Sequence, residues 1–106
     1  MKSEREISIA KARNFDVGYE DHNLPFMYGE FEYEDGGMQG FGLVINIDFV
    51  TNFCKAFGVM RLQDCNGKII KVEHDNSYIY KLIPLKFSRG KIFDVEKWAS
   101  RTKEVQ

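Results

Sequence analysis

The chain reads as one α+β domain: a curved antiparallel sheet of about five strands, one central helix packed on it, and a short C-terminal helix. Three observations predict this. Apolar residues alternate with period two in several short runs, as half-buried strands require. One segment instead repeats phenylalanine every fourth residue, the spacing of a helical face. Short clusters of turn formers separate these runs, and the 106 residues contain no repeat, linker or low-complexity block. Residues 1–106 are therefore expected to form a single domain.

In chain order, "EISIAKARNFDVG" alternates Ile7 and Ile9 with small or polar neighbours and predicts a first strand. Turn formers in "YEDHNLP" follow. In "FMYGEFEYE", Met27, Phe31 and Tyr33 share one face, and Phe26, Tyr28, Glu30 and Glu32 the other. Aromatics opposite glutamates describe a half-buried strand, here expected at a sheet edge. "FGLVINID" predicts a third strand through Phe41, Leu43, Ile45 and Ile47. Asp48 or Asn46 can then cap a helix whose stripe is Phe49, Phe53 and Phe57. Gly58 stands where a left-handed residue ends a helix. A short strand-like piece is expected in "VMRLQDC", then an Asn66-Gly67 turn and a strand from Ile69 to Glu73. Asp75, Asn76 and Ser77 form the next turn, "YIYKLIPL" a further strand, and Asp94 can cap a terminal helix with Val95 and Trp98 on one side.

Composition narrows the function classes. Apolar residues at 43% and aromatics at 14% exclude a disordered chain. The start, "MKSEREISIAKAR", is charged, and no segment approaches the ~20 apolar residues of a membrane helix. A soluble, cytoplasmic protein with no membrane contact is the expectation. Cys54 and Cys65 are too few for a disulfide framework and are expected as free thiols, Cys65 the more exposed of the two beside its turn. Charge is distributed unevenly. From Asn14 to Cys54 there is no lysine or arginine, whereas Asp16, Glu20, Asp21, Glu30, Glu32, Glu34, Asp35 and Asp48 all fall there. Lys81, Lys86, Arg89, Lys91, Lys97, Arg101 and Lys103 reverse the sign later. Direct nucleic-acid binding, which needs a concentrated basic surface, is not expected.

"GGMQGFG" holds four glycines in seven residues, but they precede a strand rather than a helix and lack the lysine of a phosphate loop. A bend or bulge explains them. Cys54, Cys65, His22 and His74 match no metal-ligand spacing, so no metal or cofactor is expected. Neither cysteine has a histidine beside it in sequence, and no catalytic residue is assigned. The acidic, aromatic stretch remains. Tyr28, Glu30, Glu32, Glu34 and Asp35 offer rigid aromatic area with negative charge, a combination suited to a partner protein with a basic surface. The alternative is a small-ligand or nucleotide site, or a small enzyme, built from Glu20, Asp21, His22 and Gln39.

The order of segments from about residue 14 to 85 resembles a group of small phage and prophage proteins of uncharacterised function. Tyr19-Glu20-Asp21-His22, Gly36-Gly37-Met38-Gln39-Gly40-Phe41-Gly42 and Gly67-Lys68 carry the likeness. Asn23 stands where that group has glycine, and the glycine turn is one residue shorter. The resemblance implies only a phage-associated accessory protein and brings no established activity. Small size and an acidic half together fit a non-enzymatic binding protein that occupies a host macromolecule. An inhibitor of a nucleic-acid-targeting defence system, such as a CRISPR effector, is the expectation.

Overall fold

The computed structural model describes residues 4–19, 25–44, 47–86 and 88–98. Strand β1 (Glu6–Tyr19) pairs with β2 (Pro25–Tyr33) on one side and with β4 (Ile69–His74) on the other. β3 (Met38–Val44) lies outside β2; β5 (Ile79–Ile83) and β6 (Phe93–Asp94) continue beyond β4. All pairs are antiparallel, and the order is β3-β2-β1-β4-β5-β6. The sheet thus has six strands, not five. The extra one, β6, is two residues long and too short to show a period.

Helix α1 (Ile47–Phe57) joins the two halves. Its phenylalanine stripe is buried, with Phe49 and Phe53 fully enclosed and Phe57 nearly so. The helix closes as a Schellman turn: Val59 N–H donates to the Cys54 carbonyl and Gly58 N–H to that of Lys55, with Gly58 at φ +69°. The third strand stops at Val44, and Ile47 opens the helix with 76% of its surface exposed. Asp48 is therefore a first-turn acid, favourable to the helix dipole, rather than the cap; Ile45 and Asn46 lie outside the described residues. "VMRLQDC" makes a 3-10 turn at Leu62–Cys65, not a strand. At the C-terminal end Asp94 Oδ1 accepts from Lys97 N–H at 2.8 Å and starts a short helix, α2, helical over residues 95–98. Val95 is buried, and Trp98 sets its ring edge-on to Phe49 at 4.9 Å.

The core lies between α1 and one sheet face. On β1 the residues facing it are small: Ala10 and Ala12 are buried, opposite Tyr33 and Phe31 of β2 and beside Ile70 of β4. Ile7 and Ile9 point the other way, and Ile7 is 58% exposed. Small residues at mid-sheet leave depth for rings. A bulge between Arg13 and Asp16, with Asn14 at φ +60°, turns Phe15 into that space. Its ring meets Phe31 at 5.2 Å and Phe53 at 5.0 Å and lies over Gly29. Asn66 holds the bulge from outside. Its Oδ1 accepts from Phe15 N–H at 2.8 Å, and its Nδ2 donates to the Phe15 carbonyl at 3.2 Å. The side chain stands in for a strand neighbour where the β1–β4 ladder ends.

Candidate protein-binding face

The face of the sheet away from α1 carries no covering element among the described residues. Strand alternation decides what it displays. From β2 come Phe26, Tyr28, Glu30 and Glu32; from β1 come Ile7, Ile9, Lys11 and Arg13; from β4 come Ile69, Lys71 and Glu73. Tyr28, Met38, Ile7 and Ile69 are exposed, which leaves a broken apolar band across the strands. The charges of this face are graded across the strands. Carboxylates gather over β2 and its turn, with Arg13 and Lys11 of β1 directly opposite Glu30 and Glu32, and Lys71 and Lys81 flank Glu73 on β4 and β5.

The five residues expected to contact a partner sit together on the β2–β3 hairpin. Tyr28 stacks beside Phe26 with ring centres 6.2 Å apart. Glu30 accepts from Asn14 Nδ2 at 2.8 Å, so the bulge that places Phe15 also fixes this carboxylate. Glu32 pairs with Arg13 at 3.3 Å; both side chains are well solvated, and such a pair contributes little to stability. Glu34 and Asp35 form the exposed turn, where Tyr33 N–H donates to the Gly37 carbonyl at 2.7 Å and Asp35 Oδ1 accepts from Gly37 N–H. Gly36 takes φ +93° there. The glycine run is therefore a hairpin bend followed by two strand glycines. One expectation fails: β2 is not an edge strand, because β3 pairs along its whole outer side. Beside the turn, where β2 ends short of the start of β1, Ile7, Ile9, Tyr33, Glu34, Asp35 and Lys71 border an open notch of about 500 Å³.

Of the alternative ligand residues, Glu20, Asp21 and His22 lie outside the described residues. The strand ends that bracket them, Tyr19 and Pro25, pair with each other. Gln39 instead pairs with Phe31, six residues along β2 from Pro25 and so about 20 Å away. Its side chain is already engaged, accepting from the Tyr33 hydroxyl and donating to the Asp75 carbonyl at 3.2 Å.

A polar cluster that strand pairing alone reveals surrounds His74. The imidazole is 6% exposed and lies flat on Tyr33, ring centres 4.3 Å apart. Its Nε2 is 2.9 Å from Ser8 Oγ, and its Nδ1 faces the Asp75 carbonyl at 3.4 Å. A serine beside a histidine suggests a nucleophile and base. Here, however, a main-chain carbonyl rather than a carboxylate faces the second nitrogen, and the ring is closed in by Tyr33. Burial, then the charges of Glu6 and Asp35, pushes the Tyr33 hydroxyl well above its ordinary range, so it remains a donor. Asp75 is held below the usual carboxylate range by the Tyr80 hydroxyl first, then by the amides of Ser77 and Tyr78. The expected Asp75 turn is thus present, and the cluster reads as a satisfied end of the core.

Cys65 is fully buried, not the more exposed thiol, because the 3-10 turn tucks it inward; Cys54 is 5% exposed. Burial, then the charge of Cys54, pushes the Cys65 thiol up to about 12. A thiol held neutral adds stability that is full below its ordinary value of 9.0 and is lost as pH climbs from there toward about 12. Native protein near neutral pH should react slowly with a maleimide and rapidly only in denaturant. Fast native labelling of Cys65 would contradict this placement. Among the described residues no group of three or more histidine, cysteine, aspartate or glutamate side chains could hold a metal ion. Compared with family models, with curated proteins and with solved structures, the chain matches none.

Proposed function

We propose that this chain is a binding protein that engages a basic surface of another protein through the outer face of β2 and its hairpin turn. The observation that carries this reading is the sheet face left uncovered among the described residues, where Tyr28 and Met38 stand exposed near Glu30, Glu32, Glu34 and Asp35. Aromatic residues and methionine are the side chains enriched at protein interfaces, which favours this face as a contact surface. Carboxylates over β2 supply attraction at a distance, and the aromatic pair supplies contact area. The resemblance to phage and prophage proteins favours a setting in which the target is a nucleic-acid-handling host protein. Its basic channel is the kind of surface an acidic face occupies in competition with DNA or RNA. Inhibition of a defence effector is the form of this proposal with the most specific consequence.

The test is capture of a partner from a host lysate, followed by binding kinetics with wild type and with Glu30→Lys and Glu32→Lys combined. The variant should stay folded but unfold at a somewhat lower denaturant concentration, since it loses the Asn14 and Arg13 contacts and sets like charges opposite Arg13 and Lys11. It should associate about tenfold or more slowly at low salt. Equal association rates would assign these acids to solvation alone. Direct, salt-sensitive binding of the chain to nucleic acid would overturn the proposal.

A further inference from the structure

The register of the hairpin specifies which backbone groups of β3 are free. Tyr33 N–H bonds to the Gly37 carbonyl, so hydrogen-bonded pairs recur at Phe31–Gln39 and Gly29–Phe41. Main-chain groups of Gln39 and Phe41 therefore point to β2, and those of Met38, Gly40 and Gly42 point away from the sheet. Among the described residues nothing pairs with that side, because β3 ends the strand order. Natural edges are usually blunted by charge, proline or a bulge. β3, "MQGFGLV", has no charged residue and no proline, and its pairing with β2 is unbroken over seven residues.

Two of its residues also lack side chains on the acidic face. Gly42 lies beneath the ring of Phe26, where an added Cβ would approach Phe26 Cζ to 3.0 Å. Gly40 pairs with Glu30, and a Cβ there would meet nothing within 4 Å. A strand added outside β3 would stand ~10 Å from β2, within reach of a lysine or arginine side chain crossing above Gly40. The bare edge thus opens directly onto Glu30 across Gly40, whereas the side chain of Met38 stands between the edge and Glu32.

Resting on the binding function proposed above, we infer that β3 accepts an extended segment of the partner as a seventh strand. That segment carries lysine or arginine at alternate positions, one of which reaches over Gly40 to the Glu30 carboxylate. Main-chain hydrogen bonds supply affinity, and the charged face selects the sequence. A second copy of this chain fits less well. Pairing β3 with itself would bring two sets of Glu30 and Glu32 within ~15 Å, across uncharged strands.

The probe is an end-capped eight-residue peptide alternating lysine and valine, compared with the same peptide N-methylated at alternate residues. Methylation keeps the charge and removes the donors of one edge. The parent should bind, shift the amide resonances of Met38, Gly40 and Gly42, and weaken with salt. The methylated peptide should bind roughly tenfold or more weakly. Gly40→Pro should reduce binding of the parent peptide comparably, since this residue's N–H points outward and its loss leaves the β2–β3 ladder intact. No binding by the parent peptide, or equal binding by the methylated one, overturns the inference. If Glu30→Lys with Glu32→Lys abolishes binding while methylation and Gly40→Pro do not, the acidic face survives as the binding site and strand addition fails. If the acid substitutions change nothing, the choice of a basic segment is wrong. A dimer in sedimentation that Gly40→Pro dissociates would give the edge to a second copy and equally overturn it.

Discussion

Phe53→Ala should destabilise the protein by ~3–5 kcal/mol, the range for deleting a fully buried ring. Phe53 is at the middle of the α1 stripe and is completely enclosed. Its ring meets Phe15 at 5.0 Å, Phe57 at 5.2 Å and Phe41 at 6.0 Å, so the helix, the bulged strand β1 and the edge strand β3 all lose packing together. These three neighbouring rings cannot collapse into the space without leaving their rotamers, which places the loss high in that range. For a domain of this size it corresponds to a fall in Tm of ~15 °C or more. Urea or thermal unfolding measures it. A change below ~1 kcal/mol, the range of ordinary surface substitutions, would show that the stripe does not face the core.

Gly29→Ala should cost ~2–3 kcal/mol, near the top of the range for overpacking, although it adds a single methyl group. The new Cβ would fall 2.3 Å from Phe15 Cδ1 and 2.4 Å from Cγ. A collision with the face of a ring is not relieved by moving its tip, and Phe31 and Phe53 close the ring's retreat. The substitution should therefore also disturb the bulge at Asn14, with loss of the Asn66 contacts to Phe15. A stable Gly29→Ala protein with unchanged Phe15 and Asn66 resonances would contradict the packing described for β1.

The elements that could be read from sequence are those whose cause is local. The spacing of Phe49, Phe53 and Phe57, the positive φ wanted at Gly58, the Asx turn at Asp75 and the cap at Asp94 each depend on residues within a few positions. What escaped reading depends on pairing between distant segments. The period-two pattern of β1 is correct, yet its isoleucines face outward and its alanines inward, because rings arriving from Phe15, Phe31 and Phe53 need the room. Nothing near Glu30 announces that β3 will pair outside β2, so the acidic strand looked like an edge. Cys65 has polar neighbours in Asp64 and Asn66 and is nevertheless buried by the 3-10 turn. The Ser8–His74 contact joins residues 66 positions apart and leaves no signal in either neighbourhood. For the candidate site, the five residues were legible as one group, since a hairpin keeps sequence neighbours together. The strand edge beside them, unpaired among the described residues, was not.

Association kinetics against ionic strength test the central claim most directly. With the captured partner, the rate constant for wild type should fall steeply as salt rises from ~10 mM to ~300 mM, because the Debye length shrinks from about 30 Å to less than 8 Å. The dissociation rate should change far less. The combined Glu30→Lys and Glu32→Lys protein should show a flat or reversed dependence. A wild-type association rate that is indifferent to salt, or one whose salt dependence survives both substitutions unchanged, would contradict recognition through the acidic face of β2.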